Sequence, residues 1–491
     1  MDAATIKKIE KQIPKEVRYL FHCFEHAGFQ LFLVGGCVRN IVAGKPVNDW
    51  DLCTNASPEQ MIKLIDDLST TQDNIERIYR PIYSLYGEEF KKVELKTIPT
   101  GIKHGTVTVV VDSTPFEITT YRCDGEYSDG RHPDSVSFTN NLIEDLKRRD
   151  FTMNAIAYNP SVGFVDPFNG VKDIRHHLVR CVGKPADRFQ EDGLRILRAV
   201  RFAAQMDFSV DAKTTFAIHN YKYLLKEISA ERIQSELCKI LSSKACGNAT
   251  LEDFSDVICV FIPEIKPMIG FNQNNPWHSY DVWEHTLACM DTLKGFASDD
   301  LVDINTRLSI LFHDIGKPLC YSEDSNGVGH FYGHANVSAE ITDQVLRRLR
   351  FSNEIVESVV ELVKNHDIQF EPTIPAARRA LNRMGDIQLF RLIQLRLCDI
   401  FGQNKDFITE RANKVNLFRN CVHTVLDEES CFKLSDLAVN GNDLMEIGIP
   451  EGKDIGLILS HLLNVVIDGE VENNKDELIQ MAKEFYFDER K

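Results

Sequence analysis

Three acidic residues in the first quarter of the chain have the type and spacing to hold a divalent metal ion. Asp49 and Asp51 lie in 48-NDWDLCT-54, and Glu117 lies in 116-FEITTYR-122. Residues two apart on a strand point to the same face, so Asp49 and Asp51 are expected to project together. Adjacent carboxylates repel unless a cation lies between them, and hard oxygen ligands suit Mg²⁺ held together with phosphates. With Glu117 on a neighbouring predicted strand, the set is predicted to hold catalytic metal ions.

A phosphate-binding segment is predicted just before this acidic pair. The apolar run 30-QLFLVGG-36 ends in Gly35 and Gly36, and Arg39 follows. Glycines let backbone amides approach a phosphate closely, and an arginine adds a charge-assisted donor. Two glycines and a D-x-D pair alone are more often a turn or a surface feature, so Glu117 is what favours a nucleoside triphosphate site.

Composition limits the classes of partner and compartment. The chain has 491 residues, of which 43% are hydrophobic, and this length predicts several domains with ample material for buried cores. A net charge of −17 argues against nonspecific nucleic-acid binding over the whole surface, so an RNA partner requires a locally basic groove. Thirteen cysteines without C-x-x-C pairs, no long apolar run and an amphipathic N-terminal segment predict reduced thiols, no membrane span and a cytoplasmic location.

The elements that position the acids are predicted to be strands, and those that follow are predicted to be helices. The segments 105-GTVTVVV-111 and 115-PFEITTYR-122 are rich in β-branched residues. From about residue 185 onward helical periodicity dominates, as in 190-QEDGLRILRAVRFAAQ-205. The predicted fold class is an α+β head, a small mixed sheet with helices, followed by all-α domains.

An ordered series of motifs over roughly residues 30 to 240 resembles the class II tRNA nucleotidyltransferases, specifically the bacterial CCA-adding enzymes of the poly(A) polymerase family. The motifs are GGCVRN, NDWDLCT, KHGTVTV, FEITTYRCDGEYSDGRHPDSVSF, LKRRDFTMNAIAY, DRFQEDGLRILRAVRF and ISAERIQSEL. The resemblance implies a nucleotidyltransferase fold and transfer of CMP and AMP from CTP and ATP to the 3′ end of tRNA. Pyrophosphate would be released and Mg²⁺ would be the cofactor.

The resemblance also implies site residues. Asp49, Asp51 and Glu117 would be catalytic, with Asp49 and Asp51 as Mg²⁺ ligands. Arg149 would contact phosphate, Asp150 would bind the ribose hydroxyl, and Asn154 would be a supporting group. The full nucleotide-binding set is Gly35, Gly36, Arg39, Arg149, Asp150, Asn154, Asp192, Arg195, Arg198 and Arg201.

Base selection is predicted for the arginine-rich segment 191-EDGLRILRAVRF-202. Asp192, Arg195, Arg198 and Arg201 recur at steps of three, which predicts one side of a helix. Cytosine and adenine both present an exocyclic amine beside a ring-nitrogen acceptor, so the carboxylate of Asp192 and the guanidinium of Arg195 can pair with either base.

A second constellation lies in the helical half of the chain. His285, the adjacent pair His313 and Asp314, and Asp399 follow the order of the HD phosphohydrolase superfamily, which this segment resembles. By that resemblance these four are core ligands of a divalent transition metal that activates water, and His334 and His366 are available for a second metal or for phosphate. A scaffold that retains the ligands while mainly holding tRNA is an equally weighted alternative.

These observations predict four domains. They are a nucleotidyltransferase head over 1–160, a helical neck for base selection and RNA binding over 161–255, an HD metal-binding domain over 256–420, and a helical tail that contacts tRNA over 421–491. The alternatives are an A-adding specialist or a poly(A) polymerase of the same family, and an HD-type phosphohydrolase acting on nucleotides or RNA ends. The oligomeric state stays open.

Two features depart from the family pattern. Asn40 stands where the family usually has aspartate, which we expect to tune activity rather than abolish it. The stretch 66–98 is longer than the usual spacer and is predicted to be a surface insertion. The segment 123–138 resembles the flexible loop used in switching from C to A, which disfavours a CC-only enzyme.

Overall fold

The chain forms two compact units, residues 1–236 and 237–491. The computed structural model describes residues 10–70, 93–102, 105–125, 135–243, 248–296, 302–428 and 431–488. Most of the predicted insertion, residues 71–92, lies outside the described residues, as do Lys103, His104 and residues 126–134 of the predicted switching loop.

A seven-stranded mixed sheet forms the centre of the first unit, which confirms the predicted α+β head. Its strand order is β3-β4-β5-β2-β1-β8-β9; β2 and β5 run parallel, and the other neighbours run antiparallel. β6 and β7 form a separate antiparallel pair. The strands are β1 Leu31–Val34, β2 Leu52–Thr54, β3 Leu95–Gly101, β4 Thr106–Val111, β5 Thr114–Thr120, β6 Arg122–Asp124, β7 Val136–Phe138, β8 Ala157–Asn159 and β9 Gly163–Val165.

Side-chain alternation explains how the central strands bury one face. In β4, Val107, Val109 and Val111 are buried while the intervening side chains are partly exposed. β5 alternates in the same way, so its buried Phe116 and Ile118 leave Glu117 on the opposite face. Glu117 therefore lies on the exposed face of the sheet, because Phe116 and Ile118 on either side of it are apolar and occupy the buried face.

Helices make up most of the rest of the first unit. Short parallel strands β10 Leu178–Val179 and β11 Ser209–Val210 pair within the segment predicted to be the neck. The α-helices of the first unit are Lys15–His26, Gly36–Val42, Pro58–Thr70, Leu142–Lys147, Gly170–Arg175, Pro185–Glu191, Leu194–Met206 and Ala212–Tyr221, and Ala230–Leu241 includes the division between the units. Short 3₁₀ turns are Thr152–Asn154 and Lys222–Glu227.

Two local predictions are wrong. β2 begins at Leu52, so Asp49 and Asp51 precede the strand rather than lie on it. Asp192 does not share a helical face with Arg195, because one helix ends at Glu191 and the next begins at Leu194. Asp192 has extended backbone, and its Oδ1 accepts from the Leu194 amide at 3.0 Å, as an aspartate that precedes a helix commonly does.

The second unit is helical, as predicted, apart from the small antiparallel pair β12 Ser322–Glu323 and β13 Gly329–His330. Its further α-helices are Asn248–Asp253, Ser255–Phe261, Val282–Thr292, Ile304–Phe312, His334–Arg348, Asn353–Asn365, Ile374–Met384, Asp386–Phe401, Ile408–Asp427, Gly441–Glu446, Lys453–Asp468 and Lys475–Asp488. Its 3₁₀ turns are Pro263–Met268, Leu293–Phe296, Lys317–Leu319, Lys405–Phe407 and Leu434–Asp436.

The expected domain limits meet the observed elements unevenly. The head sheet continues through β9, past the limit set at residue 160. The last helices share an apolar cluster that includes Leu444, Leu462 and Leu478, each fully buried. The four-domain division stays a prediction. Across the described ranges, no helix is both long enough and apolar enough to cross a membrane.

Candidate active site and metal centre

The sheet register brings Asp51 beside Glu117. β2 and β5 are parallel neighbours, and Leu52 lies opposite Ile118. Asp51 comes directly before Leu52 and Glu117 directly before Ile118, so the two acids are neighbours across the strands. Both acids line a cavity of about 210 Å³ together with Thr106, Thr119 and other residues. The basic residues in its wall are Arg122, Arg148 and Arg149. Acids and cations from separate parts of the sequence therefore share one polar pocket.

The charges in this pocket fit a site for a divalent cation. Burial and the neighbouring charge of Asp49 raise the pKa of Asp51; Arg149 opposes them, and Glu117 raises the pKa further. Carboxylates that destabilise one another's charge are the donor set that a bound cation would stabilise. The three predicted acids are thus electrostatically coupled, although Asp49 and Asp51 lie outside the strand.

Gly35 is needed where the chain turns next to the acids. Its φ is +75°, and a Cβ there would lie 3.3 Å from Arg149 Nη1 and 3.7 Å from Asp51 Oδ2. Any side chain at this position would fill the space between the guanidinium and the carboxylate. Gly36 is less constrained: it begins the helix Gly36–Val42, and its Cβ would meet Arg39 Nη2 at 3.7 Å.

Asn40 holds Arg39 in place. Its Oδ1 accepts hydrogen bonds from Arg39 Nε at 3.1 Å and Nη2 at 2.9 Å, and its Nδ2 donates to the Pro46 carbonyl at 3.0 Å. Arg39 Nη1 donates to Asn154 Oδ1 at 2.8 Å. Burial lowers the pKa of Arg39 to about 10. The amide of Asn40 thus positions Arg39.

Asp150 is the centre of a buried network rather than a free group. Its Oδ1 accepts from Asn154 Nδ2 at 3.0 Å and from the Phe151 amide at 2.8 Å. Its Oδ2 accepts from Arg198 Nε at 2.9 Å and Nη2 at 2.6 Å. Burial alone would raise the pKa of Asp150, but Arg198 and Asn154 outweigh it and hold the pKa well below its usual range.

The guanidinium groups of this network converge on one aromatic ring. The Cζ atoms of Arg39, Arg198 and Arg201 lie 4.9, 5.5 and 4.2 Å from the centroid of Phe202. Cations this close to an aromatic face are attracted by its quadrupole. Phe202 therefore helps to gather three of the predicted nucleotide-binding arginines.

The two side chains predicted to contact the base, Asp192 and Arg195, each bind another side chain in this structure. Asp192 Oδ2 accepts from Arg232 Nη2 at 2.8 Å, whereas Arg195 forms a close ion pair with Glu191. Arg195 Nη2 also donates to the Arg148 carbonyl at 3.1 Å. Each group of the predicted pair is thus held by a different partner.

Several partners of the predicted site residues were not predicted, and only some of them have a recognisable spacing in the sequence. Asp145, whose side chain is buried, pairs with Arg148 at 2.8 Å and with Arg149 at 3.2 Å, and the i,i+3 and i,i+4 spacings indicate such pairs. Glu191 and Arg195 are also four apart. Arg232 lies in the quoted motif ISAERIQSEL, but no local spacing links it to Asp192. Glu236, which pairs with Arg201 at 2.8 Å, is equally remote in sequence.

The predicted metal ligands of the second half do meet. The imidazole Nε2 atoms of His285 and His313 lie 3.3 Å apart, and those of His334 and His366 lie 3.1 Å apart. Asp314 lies between the pairs: its Oδ2 is 3.4 Å from His285 and 3.2 Å from His313, and its Oδ1 is 3.4 Å from His334 and 3.7 Å from His366. Asp399 Oδ1 lies 3.2 Å from His285 Nε2.

The histidine tautomers fit metal binding. Every Nδ1 in the cluster lies 2.7 to 3.0 Å from a backbone carbonyl, on Gly402, Ile310, Phe331 and Val363 for the histidines in chain order. A carbonyl can only accept, so Nδ1 carries the proton and the Nε2 lone pair is left for a cation. The cluster can therefore hold a metal ion with all four imidazoles in the required tautomer.

Lys317 and Gln403 belong to this centre but were not predicted. Lys317 Nζ lies 2.7 Å from Asp314 Oδ2 and donates to Gln273 Oε1 at 2.9 Å. Gln403 Nε2 donates to Asp399 Oδ1 at 2.8 Å. Lys317 follows Asp314 by three residues and Gln403 follows Asp399 by four, and side chains at these spacings can contact one another. Both residues could therefore have been predicted from their spacing.

A cavity of about 500 Å³ opens beside the cluster. Asp314, His334, His366 and Asp399 reach its wall. The other polar and aromatic lining includes Trp277, His278, Lys317, Tyr332, Gln403 and Arg411. A phosphorylated molecule would find both cations and aromatic rings next to the ligand cluster.

Three family matches cover most of the chain. Residues 31–85 and 84–180 match the poly A polymerase head domain, residues 207–252 match a probable RNA- and SrmB-binding site of polymerase A, and residues 330–482 match a putative tRNA nucleotidyltransferase domain 2.

Solved structures share the fold along nearly the whole chain. The Bacillus stearothermophilus CCA-adding enzyme in complex with CTP is 25% identical, with a TM-score of 0.64, over 97% of this chain and 99% of that one. The Thermotoga maritima CCA-adding enzyme complexed with tRNA has a TM-score of 0.57 at 17% identity over 98% of both chains, which bears on the fold alone.

Curated relatives cover the chain end to end. The CCA-adding enzyme of Lactobacillus delbrueckii subsp. bulgaricus is 29% identical over 92% of this chain and 93% of its own length. That of Limosilactobacillus fermentum is 38% identical over 94% of each. This identity over almost the full length, together with a matching head and the coupled acids Asp49, Asp51 and Glu117, shows that the chain belongs to the CCA-adding enzymes, the tRNA nucleotidyltransferases of the poly(A) polymerase family.

Proposed function

We propose that the protein builds and repairs the CCA end of tRNA, transferring CMP and AMP from CTP and ATP without a nucleic-acid template. The observation that supports this most directly is the register that sets Asp51 beside Glu117 next to Asp49, within a chain of the CCA-adding family. The cytoplasmic location expected from the sequence belongs to the same proposal.

In the proposed reaction the 3′-oxygen of tRNA forms a bond to the α-phosphorus of the nucleotide. The bond between that phosphorus and the oxygen bridging to the β-phosphate breaks, so pyrophosphate leaves. Mg²⁺, when bound, neutralises phosphate charge and makes the attacking hydroxyl more acidic. Asp49 and Asp51 would hold the ions, and Glu117 would complete the carboxylate set and accept the hydroxyl proton. Arg39 and Arg149 would neutralise the triphosphate, which can approach closely because Gly35 has no side chain.

Base choice is proposed for Asp192 and Arg195. Their polar groups match the amine donor and ring-nitrogen acceptor shared by cytosine and adenine. Arg232 binds Asp192, and Glu191 binds Arg195. We expect each partner to fix the orientation of the side chain that contacts the base, or to release that side chain when a nucleotide binds.

The test is extension of three tRNA transcripts, ending before CCA, after C and after CC, with each nucleotide supplied separately. The proposal expects CTP to extend the first two and ATP to extend the third, with growth ending at CCA. Asp49→Asn with Asp51→Asn should abolish extension, while Glu144→Gln, which removes an exposed charge of the same unit, should not. Extension of the CC transcript alone would indicate an A-adding specialist, and long runs of A would indicate a poly(A) polymerase.

We also propose a second activity, metal-dependent phosphoester hydrolysis at the histidine cluster. The observation that favours it is the six-residue ligand set beside a cavity that contains Lys317 and Arg411. These cations would bind the phosphate, and the cluster would hold divalent transition metal, whose bound water has a lowered pKa. Water oxygen would bond to phosphorus as the ester oxygen leaves with a proton.

The probes are tRNA transcripts that end in a 3′-phosphate or a 2′,3′-cyclic phosphate. Phosphate release or ring opening should disappear in His313→Ala and persist in Asp49→Asn with Asp51→Asn, which separates this activity from nucleotide transfer. No turnover of either end with a metal-loaded protein would instead favour the alternative that the cluster is a scaffold for tRNA.

A further inference from the structure

A buried carboxylate lies next to the arginines of the catalytic pocket. Asp145 is on the helix Leu142–Lys147, and it precedes Arg148 by three residues and Arg149 by four. Both arginines line the cavity of about 210 Å³ that contains two of the predicted acids. Asp145 is not one of the predicted site residues, so any part that it has in nucleotide transfer is expected to act through these arginines.

Both oxygens of Asp145 accept hydrogen bonds. Oδ1 accepts from Arg148 Nε at 3.0 Å, from Arg148 Nη2 at 2.8 Å and from the Arg122 amide at 3.3 Å. Oδ2 accepts from Arg149 Nη2 at 3.2 Å. Burial alone would raise the pKa of Asp145, but Arg149 and Arg148 outweigh it and hold the pKa below its usual range. Asp145 is therefore a fixed negative charge that binds two guanidinium groups.

The guanidinium of Arg149 is fixed at one end and faces the catalytic acids at the other. Its Nη2 binds Asp145, whereas its Nη1 lies 3.3 Å from the position that a Cβ of Gly35 would take. Asp51 Oδ2 lies 3.7 Å from that same position. Arg149 Nε is buried and has no hydrogen-bond partner among the residues that the structure describes. Buried donors are nearly always paired, so an acceptor such as a phosphate oxygen is expected to bind there.

Arg148 has a different part in this arrangement. Two of its guanidinium nitrogens bind Asp145, and the third, Nη1, lies 3.5 Å from Asp124 Oδ2. Its backbone carbonyl accepts from Arg195 Nη2 at 3.1 Å. Because all three nitrogens of Arg148 face carboxylates, Arg149 is the arginine of the pair that has donors for a phosphate.

We infer that Asp145 is a positioning residue of nucleotide transfer, which holds Arg149 in the orientation that binds the triphosphate and, in the reverse reaction, pyrophosphate. The inference rests on the proposed function and adds to it a residue that does not touch the substrate. Without the carboxylate, Arg149 loses the hydrogen bond that fixes its plane, and the repulsion between Arg148 and Arg149 is no longer compensated. Each nucleotide would then have to order the guanidinium, which weakens binding.

The first test is Asp145→Asn, which keeps the size of the side chain and removes its charge. We expect KM for CTP, and KM for pyrophosphate in the reverse reaction, to rise at least about tenfold, while KM for tRNA stays the same. Asp211→Asn is the matched control, because Asp211 is a mostly buried carboxylate of the same unit, 2.9 Å from Arg180. A lower kcat with all three KM values unchanged would overturn the inference, since it would indicate only a smaller folded fraction. Equal effects in the control would also overturn it.

A double-mutant cycle shows whether Asp145 acts through Arg149. If it does, Asp145→Asn combined with Arg149→Met should bind CTP and pyrophosphate no more weakly than Arg149→Met alone, to within about twofold. Residues that share an interaction give such non-additive effects, whereas independent residues give effects that add. Additive losses would therefore assign Asp145 a purely structural role and contradict the inference.

Arg149→Lys tests the same geometry if Asp145→Asn does not fold. A lysine keeps the positive charge, but it lacks the planar fork that can bind Asp145 at one end and a phosphate at the other. We expect KM for CTP and for pyrophosphate to rise at least about tenfold in this variant as well. Full affinity in Arg149→Lys would show that an unoriented charge is enough, and the inference would be wrong.

Binding measurements separate this inference from the proposed function. If the unaltered protein transfers no nucleotide, the proposed function fails. The dissociation constant of CTP with Mg²⁺, measured by calorimetry, still decides the role of Asp145. It should rise at least about tenfold in Asp145→Asn and in Arg149→Lys, and stay the same in Asp211→Asn. Equal dissociation constants in all of these proteins would overturn the inference.

Discussion

The guanidinium of Arg198 holds the carboxylate of Asp150 by two hydrogen bonds, 2.9 Å from Nε and 2.6 Å from Nη2, across 48 residues of sequence. Asp150 lies in the motif LKRRDFTMNAIAY of the predicted head, and Arg198 lies on the helix Leu194–Met206. The pair therefore joins the predicted head to the predicted base-selecting segment. A ribose hydroxyl would have to bind at a carboxylate that already accepts from Arg198, Asn154 and the Phe151 amide.

Removal of this ion pair should weaken the first unit. Asp150→Asn leaves Arg198, whose side chain is 34% exposed, without its carboxylate, and loss of the charged hydrogen bonds should cost about 2 kcal/mol. Hydrogen exchange of peptides from residues 150–156 and 194–202 should report this as faster local opening. Asp343→Asn breaks an exposed i,i+4 pair with Arg347. It should change the free energy of local opening of its own helix by less than about 1 kcal/mol. Equal effects would contradict the role assigned to burial.

The same pair should give the first unit a distinct acid response. Arg198 and Asn154 hold the pKa of Asp150 below the ordinary aspartate value of about 3.9. A group with a depressed folded pKa stabilises the fold fully above its unfolded value, and the contribution is lost as pH falls through the folded pKa. Exchange protection in the wild type should therefore fall below about pH 4, and Asp150→Asn should remove that part of the pH dependence.

Substitution of Gly35 should impair nucleotide transfer more than folding. Gly35→Ala introduces about 1–3 kcal/mol of backbone strain and places a Cβ between Arg149 and Asp51. Gly28→Ala is the matched control, because Gly28 has a φ of +81° but nothing within 4 Å of its Cβ position. We expect tRNA extension to fall at least about 100-fold in Gly35→Ala, on the scale of losing one group that contacts the reacting phosphate. Equal losses in the two variants would show that strain alone explains the effect.

Arg232 should act on base selection through Asp192. Arg232→Met removes the 2.8 Å hydrogen bond to Asp192 Oδ2, while the Leu194 amide still donates to Oδ1 at 3.0 Å, so the carboxylate is held through one oxygen instead of two. We expect KM for CTP and ATP to rise and misincorporation of UMP to increase about tenfold, since a hydrogen-bonding position worth about 1.4 kcal/mol would be lost. Arg175→Met, on a short exposed helix end, is the control. Unchanged nucleotide preference in Arg232→Met would exclude this positioning role.

Gly402→Ala should disable the metal centre while tRNA extension continues. The added Cβ would lie 2.5 Å from Cys289 Sγ and 3.2 Å from His285 Nδ1, so His285 must move or lose its carbonyl partner. Such changes around a ligating histidine typically cost about 10- to 100-fold in metal affinity. Equilibrium dialysis with Zn²⁺ measures this, with Gly456→Ala as control, because that helical position has open space. Equal Zn²⁺ affinity in both variants would show that His285 tolerates the shift.

Local pattern was sufficient for the elements and for the identity of most chemical groups. The β-branched residues of β4 and β5 predicted strands, and helical periodicity predicted the second half of the chain. Local pattern failed at the ends of elements. Asp192 lies between two helices, where its Oδ1 accepts from the Leu194 amide, and the acids Asp49 and Asp51 precede their strand.

What the sequence determined by itself is therefore the set of groups and their order: three head acids, a glycine turn, a run of arginines, and histidines paired with aspartates. Only the tertiary structure decided which of these side chains contact one another. Parallel pairing of β2 with β5 joins Asp51 to Glu117, and folding over 40 residues joins Asp192 to Arg232. The physical reason is that side-chain type follows local chemistry, whereas hydrogen bonds and ion pairs between distant segments depend on how whole strands and helices pack.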